Sequence, residues 1–239
     1  MGLICRNRVD REEIAAIETP ARTETWHPVP HMDVISAVED EIRARSWDIL
    51  EEDFGIARSG QRMFGVLRVA KGATAEWQRC IGIRNSHDQS LAVGLAAGIR
   101  VMVCENLAFG GTIALRRRHT SRIDLDMIVS DAITALEGEF DKLTLATENL
   151  KRQPLLPDEA RSCLVKAAEC RAINSCDIVP IFREYQHPRH EEFAQPTRWS
   201  FLNAFTEHAK KYSPGRADVF HSKMARLFGL DGNPAALWG

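Results

Sequence analysis

The sequence predicts an α+β fold in which a mostly antiparallel sheet of about five strands precedes a long helix and a helical C-terminal part. Three observations support this class: strand-type apolar runs separated by turn residues fill the middle of the chain, a helical repeat begins near residue 121, and no internal repeat or low-complexity linker divides the sequence. With 239 residues, 44% of them hydrophobic, the chain is long enough to bury a substantial core. We therefore expect a single domain over residues 32–239, with its sheet part in 32–120 and its helical part in 121–239.

Residues 1–31 are predicted to form an extended arm, because three prolines surround Trp26 and disfavour a helix. A short amphipathic helix is expected next. Asp33 is its predicted N-cap, and apolar residues recur at helical spacing until the helix ends near Ser46.

The strands are predicted from pattern and turn chemistry. Two β-type runs flank the turn signal Ser59-Gly60, and the stretch "EWQRCIGIRNS" alternates apolar and polar residues. The stretch "SLAVGLAAGIRVMVC" is almost continuously apolar, which predicts a strand buried on both faces and bent or bulged at Gly94 or Gly98. A last strand is expected in "TIALRRRHT".

The period changes to helical after Ser121, which forms a capping-box-like start with Asp124. The helix that follows is predicted to run for about 28 residues and to end at Pro154. Further helices are expected from Asp158, after a Thr197 cap, and after Pro214-Gly215.

Charge and cysteine usage restrict the function classes. The 31 Lys and Arg residues against 33 Asp and Glu give a net charge of −2, so binding to nucleic acid requires a local basic patch. The six cysteines form no C-x-x-C pair, which indicates a reducing, cytoplasmic setting. No signal peptide or membrane-spanning segment is predicted, so we do not expect a membrane partner.

The stretch "RNSHDQS" has two interpretations. Asn85, Ser86, His87 and Asp88 lie between two predicted strands, where such residues bond their own backbone in turns. Alternatively, His87 and Asp88 act as base and orienter beside a nucleophile, Ser86 or Cys104. The turn interpretation is favoured, because neighbouring strand residues point to opposite faces.

Cys104 and Asn106 follow the buried strand. A nucleophilic cysteine requires a cationic or helix-terminal environment, and the sequence shows none with certainty, so packing is the favoured role of Cys104. A pocket that combines Asn85, His87, Asp88, Cys104 and Asn106, with His119 as a further member, remains the alternative.

The segment "RRRHTSR" concentrates positive charge immediately before the long helix. It contains Arg116, Arg117, Arg118, His119 and Arg122. Guanidinium groups and free helix N–H groups at one place are typical of phosphate binding, although a solvated strand end is an equal alternative. The patch is larger if the arginines of neighbouring strands share its face, and these are Arg68, Arg79, Arg84 and Arg100.

No metal site or cofactor is predicted. The spacing between Cys170 and Cys176 is too wide for a zinc pair, and Pro188 interrupts the pair His187 and His190. Nucleotide-binding, protease and hydrolase motifs are not detectable in the sequence.

The chain resembles the phage- and plasmid-associated family called domain of unknown function nine-three-two, from about Trp26 to Tyr212. The resemblance depends on "ETWHPVPH", "NSHDQS", the "CEN" strand end, "RHT", and "TRWSFLNAFTE" in this order. Its implications are a mobile-element setting and no established activity. Element order alone is also similar to that of single-strand annealing recombinases, which implies strand-binding grooves and rings.

Three hypotheses follow. The first is a non-enzymatic protein that binds single-stranded nucleic acid in recombination or replication, as a homo-oligomer, with Phe64, Trp77 or Trp199 as stacking residues if their side chains are exposed. The second is an enzyme that uses the polar pocket. The third is an assembly or inhibitor protein that binds a host protein through an apolar patch.

Overall fold

The computed structural model describes residues 8–70, 77–101, 107–117 and 124–238. In this part of the chain, an antiparallel sheet is followed by a long helix and a helical C-terminal part, which confirms the predicted α+β class. The sheet has six strands in the order β1-β2-β3-β4-β5-β6, so each strand pairs with its neighbours in sequence. Short connections explain this topology, because they join consecutive antiparallel strands most easily.

The strands are β1 Arg8–Val9, β2 Asp48–Ala57, β3 Arg62–Ala70, β4 Trp77–Ser86, β5 Val93–Val101 and β6 Leu107–Arg117. The helices are α1 Arg11–Ala15, α2 His31–Ala44, α3 Leu125–Arg152, α4 Pro157–Glu169, α5 Ile178–Gln186, α6 Arg198–Ala209 and α7 Pro214–Phe228. Short 3₁₀ turns, Ser175–Asp177 and Glu191–Phe193, precede α5 and α6.

The N-terminal segment is more structured than predicted, and the expectation of a wholly extended arm was wrong at α1. The Asp10 side chain accepts a hydrogen bond from the Glu13 N–H, and the Glu13 side chain accepts one from the Asp10 N–H. This capping box starts the helix, and Ile14 is buried in the core. Arg8 pairs with Gly55, which adds β1 to the sheet beside β2.

The other helix starts differ from the predictions in detail. Pro30, not Asp33, is the N-cap of α2, which begins at His31. Asp124 is the N-cap of α3 and accepts a hydrogen bond from the Met127 N–H, whereas Ser121 lies outside the described residues. The predicted length of α3, 28 residues, and the Thr197 cap of α6 are confirmed.

One part of the core lies between one face of the sheet and the helices α2 and α3, both of which contact it, and the same cluster continues through the helical C-terminal part, where Phe201, Phe205 and Phe220 are buried. We call this face of the sheet the packed face. Alternate residues of the strands point to it because the side-chain period of a strand is two. They are Met63, Leu67, Val69, Ile81, Ile83, Val93, Leu95, Ala97 and Ile99. The opposite face contacts α7, which reaches from β6 to β2.

Candidate nucleic-acid interface

The polar residues that end β4 are mostly inside the protein. Asn85, Ser86 and His87 are all buried. The amide Nδ2 of Asn85 donates to the Val29 carbonyl at 2.8 Å and lies 3.0 Å from Nδ1 of His31. Nε2 of His87 lies 3.0 Å from the same Val29 carbonyl. These contacts connect the turn after β4 to the segment that leads into α2.

His31 and His87 stack with their ring centroids 3.8 Å apart and their planes 4° from parallel. A carbonyl oxygen only accepts, so His87 donates from Nε2 to Val29, and His31 donates from Nε2 to Gly60 at 2.9 Å. Nδ1 of His31 is then the acceptor for Asn85. Burial lowers the pKa of His87, since desolvation outweighs the hydrogen bond to Val29. The hydrogen bonds of His31 are those of a neutral imidazole, and the lowered pKa of His87 favours the neutral form of the second ring.

Ser86 and Asp88 complete the turn with local hydrogen bonds. Ser86 Oγ donates to the Leu91 carbonyl at 2.9 Å and accepts from the Leu91 N–H at 3.0 Å. Asp88 accepts from Nε of Arg62 at 2.9 Å, and also from Ser90. Burial alone raises the pKa of Asp88, but the hydrogen bonds from Ser90 and Arg62 outweigh it and hold that pKa below its usual value.

These contacts agree with the turn interpretation for Ser86 and Asp88, whereas Asn85 and His87 bond the distant Val29 rather than their own backbone. The bonds of His87 go to Val29 and those of Asp88 to Ser90 and Arg62, so the two side chains do not form the hydrogen-bonded pair that a catalytic relay requires. Nδ1 of His87 is buried and has no hydrogen-bond partner among the described residues.

Cys104 and Asn106, the other predicted pocket residues, lie outside the described residues, as does His119. The described strand end before Cys104 is Val101. It is eight residues from Val93, which follows the turn, or about 26 Å along an extended strand. The described residues thus do not bring the turn and the Val101 strand end together, and the pocket stays a prediction.

Arg116 and Arg117, the part of the basic segment that the structure describes, lie at the same end of the sheet as the turn. In β6, Arg117 is opposite Val93 and Arg116 is opposite Gly94, which is in turn opposite Arg84 of β4. Arg118, His119 and Arg122 lie outside the described residues. The backbone register therefore aligns the Arg116 position with Arg84 across three strands.

Arginines from three strands share the face of the sheet opposite the packed face. We call this the arginine face, and its members are Arg62, Arg68, Arg84 and Arg100. Of the neighbouring arginines that the sequence singles out, three belong to it and Arg79 does not. Arg79 lies over the Phe140 ring at 5.2 Å and 3.3 Å from Asp141, both on α3.

The arginines of this face are recessed and paired with carboxylates. The exposed fractions of their side chains are 20% for Arg62, 19% for Arg68, 12% for Arg84 and 7% for Arg100. Their carboxylate partners are Asp88 for Arg62, Glu51 for Arg68 and Arg100, and Asp218 of α7 for Arg84. Glu51 is thus shared between two guanidinium groups of the face.

Two of these guanidinium groups have unused donors. The Nε atoms of Arg68 and Arg84 are buried and have no hydrogen-bond partner within the part of the chain that the structure describes. The side-chain oxygen of Gln78 is also buried and has no hydrogen-bond partner among the described residues. Buried polar atoms without partners are uncommon, and a ligand is one of the ways in which such atoms are satisfied.

The surface of the sheet between the arginines, which we call the floor of the arginine face, is apolar and closely packed. The Phe109 ring covers Gly82 and Gly98, where an added Cβ would lie 2.7 Å and 2.5 Å from the ring. His221 of α7 packs edge-on against Phe109 with ring centroids 5.2 Å apart. Burial raises the pKa of the Cys80 thiol to about 12, so this thiol does not supply a thiolate nucleophile.

Two of the predicted stacking residues are buried: Phe64 is 6% exposed and Trp199 is 7% exposed. The condition of exposure under which stacking was predicted is therefore not met by Phe64 or Trp199, because both side chains pack inside the protein. The side chain of Trp77 is outside the described residues. Base stacking by Phe64 and Trp199 is thus excluded from the candidate interface.

The described residues contain neither a metal-binding cluster nor a membrane-spanning helix. Within residues 8–70, 77–101, 107–117 and 124–238, His, Cys, Asp and Glu side chains form no group suited to hold a metal ion. None of the helices in these ranges is both long enough and apolar enough to span a bilayer.

The family model described as "Domain of unknown function (DUF932)" matches residues 20–228. The chain belongs to this family. The match covers every element from α2 to α7, and therefore both the turn after β4 and the arginine face of this DUF932 protein. Comparisons with curated proteins and with solved structures found no significant match. Membership agrees with the resemblance seen in the sequence motifs.

Proposed function

We propose that this DUF932 protein binds single-stranded nucleic acid without catalysing a reaction on it, and that it acts in recombination or replication of a mobile element. The observation that carries the proposal is the arginine face, where Arg62, Arg68, Arg84 and Arg100 lie on one side of one sheet. Nearly neutral chains bind nucleic acid only through such local patches.

The geometry of the arginine face suits a sugar-phosphate backbone. Arg62 and Arg68 are six residues apart on β3, which corresponds to about 20 Å along the strand. A row of this length spans several phosphates of an extended single strand. Guanidinium groups bind phosphate oxygens in a planar, bidentate arrangement, and they keep their charge at any physiological pH.

The sequence extends the same positive region. Arg116 is opposite Gly94, and Arg117, the last residue of β6, is opposite Val93 at the start of β5. We propose that Arg116 continues the arginine face, and that Arg117, Arg118, His119 and Arg122 carry the phosphate contacts past the end of β6 toward the start of α3. Several copies of the chain in a homo-oligomer would align their faces along one strand.

The test is fluorescence anisotropy of a labelled single-stranded oligonucleotide, titrated with wild-type protein at low and moderate salt, with duplex DNA alongside. We expect salt-sensitive binding that prefers the single strand. In the triple variant, which combines Arg116→Gln, Arg117→Gln and Arg118→Gln, we expect the affinity for the single-stranded oligonucleotide to fall. The dependence of log K on log salt also becomes shallower, by about one for each phosphate that the variant no longer binds.

The matched control removes three positive charges elsewhere, through Arg43→Gln, Arg161→Gln and Arg226→Gln on α2, α4 and α7. Arg43 and Arg161 are 63% and 56% exposed, and among the described residues their ion pairs are with neighbours on their own helices. Equal binding losses in the two triple variants would show that net charge alone matters, and absence of wild-type binding at low salt would refute the proposal.

A further inference from the structure

One carboxylate on the arginine face is shared between two guanidinium groups. Oε2 of Glu51 lies 3.4 Å from Nη2 of Arg68 and accepts a direct hydrogen bond from Nη1 of Arg100. Arg68 and Arg100 are on β3 and β5, so the two guanidinium groups converge on one oxygen from strands that are not adjacent. Guanidinium groups bind the oxygens of phosphate with the same charge-assisted hydrogen bonds that they make to a carboxylate.

A backbone irregularity positions this carboxylate. The register between β2 and β3 shifts between Ile49 and Glu51, so that Glu51, rather than Leu50, is opposite Arg68. Leu50 is 46% exposed as a result. A β-bulge of this kind redirects one side chain at a local cost in pairing, and such bulges are frequent beside functional sites.

Exposure indicates which group a ligand meets first. The Glu51 side chain is 34% exposed, whereas Arg68 is 19% and Arg100 is 7% exposed. The carboxylate is therefore the most exposed of the three charged groups. Nε of Arg68 remains without a hydrogen-bond partner among the described residues, so Glu51 does not use all the donors of that side chain.

We propose that Arg68 and Arg100 form a subsite for a phosphate group, and that Glu51 occupies this subsite in the free protein as an internal counter-ion that the ligand displaces. This rests on the proposed function and adds its regulation: the glutamate lowers affinity for nucleic acid and prevents non-specific capture of anions. A phosphate presents more oxygens to a pair of guanidinium groups than a carboxylate does.

The test compares wild-type protein with Glu51→Gln, which keeps the side-chain shape and removes its charge. Because one repelling charge next to the bound phosphate is removed, we expect the single-stranded oligonucleotide to bind on the order of 10-fold tighter at low salt. Glu51→Asp withdraws the carboxylate by one methylene, retains the charge that holds the arginines together, and is expected to give a smaller gain of about 2-fold to 3-fold.

The matched control is Glu41→Gln on α2. Glu41 is also a partly exposed glutamate, 21% in its case, and accepts a hydrogen bond from Arg45 at 2.8 Å. Its hydrogen bonds are with α2 and α3, away from the arginine face. Salt-sensitive wild-type binding with no gain in either Glu51 variant, or with an equal gain in Glu41→Gln, would overturn the inference and leave the proposed function intact.

A thermal-unfolding experiment separates the phosphate subsite from nucleic-acid binding. Unfolding is followed with and without inorganic pyrophosphate. We expect the increase in Tm caused by pyrophosphate to be larger in Glu51→Gln than in wild type. If no oligonucleotide binds to either protein but this difference in Tm is seen, the proposed function fails and the phosphate subsite stands. If neither effect is seen, both are wrong.

Discussion

Replacing Asn85 by alanine tests whether the end of β4 stabilises the fold by connecting the sheet to the start of α2. Its amide is fully buried and donates to two acceptors, the Val29 carbonyl and Nδ1 of His31. These acceptors are more than 50 residues away in sequence, since the separations are 56 and 54 residues. The substitution therefore removes a connection between the sheet and the start of α2, in addition to a local bond.

The expected loss of stability depends on which hydrogen bonds each acceptor keeps in Asn85→Ala. The Val29 carbonyl keeps the hydrogen bond from His87 at 3.0 Å, so the main loss is the bond from Asn85 to Nδ1 of His31. Removing the donor of a buried hydrogen bond costs about 1–3 kcal/mol, and the missing amide adds a small cavity. We expect Asn85→Ala to lower the free energy of unfolding by about 2–3 kcal/mol, or Tm by about 5–10 °C for a chain of this size.

The assay is urea unfolding followed by circular dichroism, with Asn149→Ala as the control. Asn149 is exposed on α3, where alanine is a better helix former, so this control is expected to be neutral or slightly stabilising. The midpoint of Asn85→Ala should fall with an unchanged m-value. A loss below about 0.5 kcal/mol, typical of surface substitutions, would refute the structural interpretation of the turn.

Two further predictions concern the floor of the arginine face. Gly98→Ala places a Cβ 2.5 Å from the Phe109 ring and is expected to lower the free energy of unfolding by about 1–3 kcal/mol. Gly138→Ala in α3 meets nothing within 4 Å and should raise the free energy of unfolding by about 0.5–1 kcal/mol. Thermal melts in which both substitutions shifted Tm in the same direction would contradict this. Burial lowers the pKa of His221 to about 4 from an ordinary value of 6.5, so its stabilising effect is complete above about pH 6.5 and is lost as the pH falls toward 4. His221→Phe should reduce the loss of Tm between pH 7 and pH 4.5, and an unchanged pH profile would show that this imidazole is not responsible.

Features set by local patterns could be predicted from the sequence. The 28 residues of α3 follow from a helical repeat between a cap and Pro154, and the Thr197 cap of α6 follows from one residue and its neighbours. The strands on either side of Ser59-Gly60 follow from alternation and turn chemistry. In each case the signal and the structure lie within the same short segment, so tertiary contacts are not needed to interpret it.

Features set by tertiary contacts could not be predicted. The partner of His87 in the ring stack is His31, which belongs to a different element, and no local pattern indicates that the two imidazoles meet. The carboxylate partners of the arginine face escape sequence reasoning for the same reason, since Asp218 is 134 residues from Arg84. The motif "ETWHPVPH", which ends at His31, is the one sequence signal that points toward the stack, because it belongs with "NSHDQS" to the set of motifs that carry the family resemblance.

The turn and the arginine face differ in the charge of the groups that they leave without a partner. At the turn, Asn85 and His87 bond Val29 and fix the segment before α2 against the sheet, and the buried atoms without a partner among the described residues, Oδ1 of Asn85 and Nδ1 of His87, belong to an amide and an imidazole. On the arginine face, the buried Nε donors of Arg68 and Arg84 have no partner among the described residues, and they belong to cationic guanidinium groups. Binding requires groups whose charge and hydrogen bonds the fold has not already used. The polar turn therefore stabilises the sheet, and the arginine face is where a ligand of this protein should be sought.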